Sequence, residues 1–261
     1  MLGRPVHFDF DGPPPDPDWV VHGLIERGTV TVLSADSGAG KSLVCSHMAV
    51  AIMQGKPWLG RKTHGERCMF IDEENFLRVV YSRLHAMGMR NADRPKLRYF
   101  LRLGVSLGVE DWHERVEEEL HDFHPDILVI DTASAATAVD VNDNTGVAHL
   151  FASAIRPLAD HCAVILLHHE RKPQQGTKRH AGHAMMGARQ WAGQADAHIA
   201  LEALSAQATV EAIPGGVRKA FHLNLEMPKN RDGQGVKEKL AIVSEHDDAN
   251  HMQSLRVEAR R

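Results

Sequence analysis

Residues Ser34 to Ser42 read Ser-Ala-Asp-Ser-Gly-Ala-Gly-Lys-Ser, with the apolar run Val30–Leu33 before them and a helix-compatible stretch from Leu43 to Gln54 after them. An extended run, a glycine-rich turn, a Lys-Ser pair and a helix, in that order, constrain the fold more than any other part of the chain. The glycines let consecutive backbone N–H groups curl around a polyphosphate, and the helix aims the positive end of its dipole at the same anion. Lys41 is placed to reach the β- and γ-phosphates, and the Ser42 hydroxyl to hold Mg²⁺. The residues expected to wrap the nucleotide are Ala35, Asp36, Ser37, Gly38, Ala39, Gly40, Lys41, Ser42 and Leu43. One departure is Ala35, a small residue where the pattern's first glycine ordinarily stands. The ligand this spacing implies is a nucleoside triphosphate.

The remainder of the chain extends that unit. Cys68–Asp72 reads as a strand and Asn75–Met87 as a helix ending at Gly88. Asp111 is expected to cap a helix with Trp112, Val116, Leu120 and Phe123 on one face, stopped by Pro125. Ile127–Asp131 and Ala163–Leu167 are apolar runs of the kind buried on both faces of a parallel sheet, with a helix over Thr145–Asp160 between them. Beyond residue 196 short strands joined by turns such as Pro214-Gly215-Gly216 predict an antiparallel extension. The expected organisation is a proline-rich arm over 1–19, an α/β domain over 20–245 and a frayed polar tail over 246–261.

Composition narrows the partners. Thirty Lys and Arg against 34 Asp and Glu give no global basic field, so nucleic-acid binding must come from a local patch. Cys45, Cys68 and Cys162 are too far apart for a zinc or disulfide framework and read as buried apolar residues of a reducing, cytoplasmic protein. No apolar run is long enough to span a bilayer, and the first ten residues lack a signal-peptide core.

Phosphate binding alone does not separate a kinase, a switch and a motor. Asp131, at the end of the Ile127–Ile130 run, suits a carboxylate that orders Mg²⁺ through water. Glu73 and Glu74 follow another strand to the same edge, where a carboxylate can activate the attacking water. His168 and His169 follow a third, in reach of a γ-phosphate.

With these motifs in order, the chain resembles the RecA-like P-loop ATPases, especially plasmid-encoded hexameric replicative helicases of the RepA-like AAA type. The resemblance runs from about Asp18 to Val243 and includes Arg83-Leu84-His85-Ala86-Met87-Gly88 and Gly187 to Asp196. It implies an α/β fold with a mainly parallel twisted sheet flanked by helices and an antiparallel C-terminal extension. It further implies ATP and Mg²⁺ as cofactors, Glu74 rather than Glu73 as catalytic base, Arg83 against the adenine and His169 as γ-phosphate sensor.

Two more expectations concern assembly. Lys229 and Arg231 lie in a turn which, in RecA-like hexamers, reaches a neighbour's active site; Arg189 is a rival for that role. The resemblance thus implies a homo-oligomer, a hexamer. Residues Glu170–Arg189 hold Arg171, Lys172, Lys178, Arg179 and Arg189 against one glutamate, and correspond to the family's single-stranded DNA loop. The leading expectation is an ATP-driven DNA helicase or translocase. The alternative is a non-motor ATPase, either a recombination mediator or a nucleotide-switched assembly protein. A kinase ranks last, because no lid-like insertion is visible.

Overall fold

In the computed structural model, residues 11–13, 15–140, 142–169, 190–231 and 235–260 are described. A short hairpin, β1 (Trp19–Val21) and β2 (Ile25–Glu26), leads into β3 (Val30–Ala35) and α1 (Lys41–Met53). Then follow β4 (Cys68–Asp72), α2 (Leu77–Ala86), β5 (Leu97–Leu101), α3 (Glu110–Phe123) and β6 (Ile127–Asp131). A helical stretch comprises α4 (Asn144–Leu150), a π turn (Phe151–Ile155) and α5 (Arg156–Ala159), and it returns the chain to β7 (Ala163–His169). After α6 (Gln190–Gln194) come β8 (Ala197–Ala203), β9 (Thr209–Ile213), β10 (Gly216–Asn230), β11 (Lys237–Asp247) and β12 (Met252–Arg260).

Ten strands form one sheet in the order β12-β11-β10-β8-β3-β7-β6-β4-β5, with β9 paired to the start of β10. From β8 to β5 the neighbours are parallel; from β8 outward to β12 they are antiparallel. This is the expected α/β architecture. Every residue of β3, β4 and β6 is buried, which explains why these strands read as continuous apolar runs rather than alternating ones. Side chains still alternate between two cores. Leu33, Phe70, Val129 and Leu167 face α1, whereas Val32, Met69, Leu128 and Leu166 face α3, α4 and α5.

Three expectations need correction. The tail expected over 246–261 is not frayed where it is described, because Met252–Arg260 makes the edge strand β12 on β11. Its Leu255 and Val257 are buried beside α1, so a segment polar on average carries a two-residue apolar period. Trp19 likewise belongs to β1 rather than to an arm. Asp111 is not the cap of α3: the helix starts at Glu110 after Val109, which puts Asp111 in the first turn, where its charge meets the dipole instead.

The three cysteines are buried thiols as expected, and burial raises the pKa of each. Among the described residues no helix is long and apolar enough to cross a membrane.

His198 is 1% exposed and pairs through Nε2 with Ser34 Oγ at 2.8 Å. Burial, aided by His168 and Lys229, lowers its pKa to about 4. Between that value and the ordinary histidine range the unfolded chain binds a proton that the folded chain does not, so this site loses stability as pH falls. In denaturant titrations the stability gap between wild type and His198→Gln is therefore expected to narrow by about 2 kcal/mol from pH 7 to pH 5. A constant gap would show that His198 titrates normally.

Candidate active site

The turn between β3 and α1 carries Ala35 to Leu43. Gly38 and Gly40 have φ of 78° and 89°, a backbone conformation that residues with a Cβ adopt at a cost. A Cβ on Gly40 would also lie 2.4 Å from Ile242 Cδ1 of β11, so the loop is braced by the C-terminal strands. No side chain caps α1, and its first turn thus faces the loop with backbone N–H groups. Lys41, only 5% exposed, donates to the carbonyls of Ala35 (3.1 Å) and Asp36 (3.2 Å).

Strand alternation decides which neighbours join it. On β7, Leu166 and His168 point to the face of α4, and His168 stacks on Trp191 at 4.8 Å. His169 points the other way, towards α1. On β4 and β6, Asp72 and Asp131 are register partners whose side chains share the α1 face. Three strand ends therefore deliver His169, Asp131 and the turn holding Glu74 to the P-loop.

The contacts form a chain. Lys41 Nζ donates to His169 Nδ1 at 3.1 Å. An ammonium has no lone pair, so Nδ1 must accept, and Nε2 carries the ring hydrogen. Nε2 donates to Glu74 Oε1 at 3.1 Å, and Thr132 Oγ1 donates to the same oxygen at 3.0 Å. Glu73 is turned away: its carboxylate accepts from the N–H groups of Gly104 and Val105, both at 3.0 Å. Geometry thus separates the two glutamates, and Glu74 is the one beside Lys41 and His169.

Ser42 Oγ donates to Asp131 Oδ2 at 2.5 Å. Asp131 is 3% exposed, and its Oδ1 is buried with no hydrogen-bond partner among the described residues. Burial raises its pKa to about 6; the Ser42 hydrogen bond opposes this, and the Asp72 and Glu74 charges add to it. A buried carboxylate oxygen lacking a donor suits a hydrated cation. Among the described residues no three His, Cys, Asp or Glu side chains form a metal cage. One hydroxyl and one carboxylate, with the remaining positions left to water and phosphate, fit Mg²⁺.

The sequence pattern of a family described as "AAA domain" matches residues 4–175, which include all of these groups. The chain belongs to this AAA-domain family. No curated protein matches it. Among solved structures, a KaiC-like protein of the hyperthermophilic archaeon Pyrococcus horikoshii superposes with a TM-score of 0.57 at 13% identity, covering 91% of this chain and 93% of that one. That likeness, with the sheet order, shows a RecA-like fold.

Other expected residues fall outside this cluster. Lys229 and Arg231, beyond the residues matched to the AAA domain, lie near the start of β3, since Asn230 pairs with Ala197 and Ala197 with Thr31. That edge is opposite the P-loop, so neither reaches the site of its own chain. Lys229 Nζ donates to the carbonyls of Ala192, Gly193 and Ala195, closing the end of α6, and Arg231 pairs with Asp196 at 3.0 Å. Arg83 donates to Asn75 Oδ1 at 3.1 Å, beside the carboxylates. The basic segment Glu170–Arg189, including the rival finger Arg189, lies outside the described residues. Asp72, Asn75, Tyr99 and Thr132 were not expected at the site. Only Asp72, through its place at a strand end matching Asp131, carried a signal that could have found it.

Proposed function

We propose that this AAA domain hydrolyses Mg²⁺-ATP and uses the cycle to move along single-stranded DNA, as a helicase or translocase, in a homo-oligomer of hexameric form. The observation that carries the reading is the chain Lys41–His169–Glu74, which joins the P-loop to the end of β7. Residues 170–189, with five Lys and Arg, begin at that strand end. A residue that senses the γ-phosphate at His169 therefore sits at the root of a segment with the charge to grip a phosphodiester backbone.

Each group has a distinct task in this reading. Ser42 and Asp131 would hold Mg²⁺, which neutralises phosphate charge when bound. Lys41 leaves its carbonyl partners for the β- and γ-phosphates. Glu74 takes the proton of the attacking water, while Thr132 and His169 hold one of its carboxylate oxygens. His169 donates its Nε2 hydrogen to Glu74 or to a phosphate oxygen, but not to both, and that choice signals the state of the nucleotide to residue 170 and beyond. Arg231, which cannot serve its own chain, is the candidate for completing a neighbour's site.

A second reading, a non-motor ATPase whose nucleotide switches assembly, is favoured by one observation. Lys229 and Arg231 both have partners within their own chain. The two readings separate in a single measurement series: ATPase rate with and without single-stranded DNA across a salt range, alongside solution mass with Mg²⁺-ATP. The motor reading expects a ring-sized oligomer and a DNA stimulation that fades with rising salt. A monomer unaffected by DNA would overturn it and leave the switch.

A further inference from the structure

Asp72 and Asp131 end adjacent parallel strands, directly opposite each other, and are 0% and 3% exposed. Two carboxylates buried side by side repel unless donors stand between and around them. Asp72 is well supplied. Its oxygens accept from the backbone N–H groups of Glu74 (3.0 Å) and Asn75 (2.9 Å), and from the Tyr99 hydroxyl (2.6 Å). Those contacts close the turn that carries Glu74, and any residue at position 75 with an N–H would supply its share. Arg102 locks the same turn from outside. Its N–H donates to the Asp72 carbonyl at 2.8 Å, its guanidinium to the Glu74 carbonyl at 3.0 Å, and it lies over the Phe76 ring at 3.9 Å.

The Asn75 side chain is not needed for that turn and makes a different set of contacts. Its Nδ2 donates to both Asp72 oxygens (3.1 and 3.0 Å) and reaches Asp131 Oδ2 at 3.3 Å, while its Oδ1 accepts from Arg83. One amide therefore stands between the two buried acids and ties them to a cation. On Asp131, Oδ2 is thereby taken by Ser42 and Asn75, and Oδ1 is the oxygen left without a donor.

We propose that Asn75 is a positioning residue of this site, which bridges Asp72 and Asp131 and links them to Arg83 so that Asp131 Oδ1 remains the oxygen offered to the metal. The proposal rests on the Mg²⁺-nucleotide reading above and assigns a residue that reading does not use. Asn75 touches neither nucleotide nor water in this role; it acts through Asp131. Aspartate at position 75 keeps the size and the turn preference but loses the donor between two carboxylates. Alanine loses the bridge outright.

The test uses binding rather than turnover. In the full chain carrying Glu74→Gln, the affinity for a fluorescent ATP analogue is measured with and without Mg²⁺. Asn75→Ala and Asn75→Asp are each expected to reduce the Mg²⁺-dependent gain in affinity about tenfold, the scale of a hydrogen bond to a charged group, while leaving Mg²⁺-free binding unchanged. In an Asp131→Asn background, which itself removes the gain, Asn75→Ala should cause no further loss. Thermal melts confirm folding, and Asn75→Asp decides the matter where the alanine variant does not fold. A parental Mg²⁺ gain in folded Asn75 variants overturns the assignment. So does equal weakening with and without Mg²⁺, which is the mark of a merely structural residue, or a fully additive loss with Asp131→Asn. Absence of any Mg²⁺ effect in the Glu74→Gln parent would instead overturn the underlying nucleotide reading, and this inference with it.

Discussion

Alanine at Lys41 is expected to abolish measurable ATP turnover, with a fall of about 10³-fold, the upper end of the range seen when a preorganised donor facing the reacting group is removed. Two effects combine. The ammonium is the cation at the mouth of the P-loop, and it is already held there by the carbonyls of Ala35 and Asp36. It also fixes the His169 tautomer by donating to Nδ1. Without it the Nε2 hydrogen is no longer committed to Glu74, so the base loses orientation as well as the phosphate losing a partner. Steady-state phosphate release measures this, and hydrolysis at the wild-type rate would refute the site assignment.

Glutamine at Glu74 should show a different signature: kcat reduced by about 10²–10⁴-fold, the contribution of a positioned general base, with nucleotide affinity preserved. The amide keeps an oxygen for Thr132 and His169 but cannot take a proton from water. Glu73→Gln is the internal control. Its carboxylate holds the N–H groups of Gly104 and Val105, so its loss should affect stability more than rate. Mixing Glu74→Gln with Arg231→Ala extends the experiment to assembly. If sites are completed between chains, two inactive proteins regain activity at interfaces that pair an intact Arg231 with an intact Glu74. No recovery at any ratio would mean that Arg231 completes no neighbour's site and only pairs with Asp196 as a structural contact.

What the residues revealed beforehand follows the range of the interactions involved. The P-loop was legible because each of its requirements, positive-φ glycines, Lys41 and Ser42, lies within nine consecutive positions. The parallel strands were legible because burial on both faces leaves an unbroken apolar run. The choice of His169 over His168 becomes physical only once strand alternation is fixed, since one faces Lys41 and the other Trp191. Glu74 over Glu73 depends on a turn closed by Asp72, which no local pattern announces. Asn75, Tyr99 and Thr132 were invisible for the same reason: their partners are set by sheet register. Strand β12 was missed because the polar residues around Leu255 and Val257 outweigh them in any average.

Ile242 packs against Gly40, and Leu240, Leu255 and Val257 join the core around α1. During synthesis Lys41 leaves the ribosome ~200 residues before Ile242 does, an interval of roughly 10–40 s at ordinary elongation rates. Through that interval the loop that binds triphosphate lacks the strand that braces it. The core around α1 is complete only when β11 and β12 have emerged. A chain cut before β11 would therefore carry every residue of the Ala35–Leu43 loop without the Ile242 contact that braces Gly40.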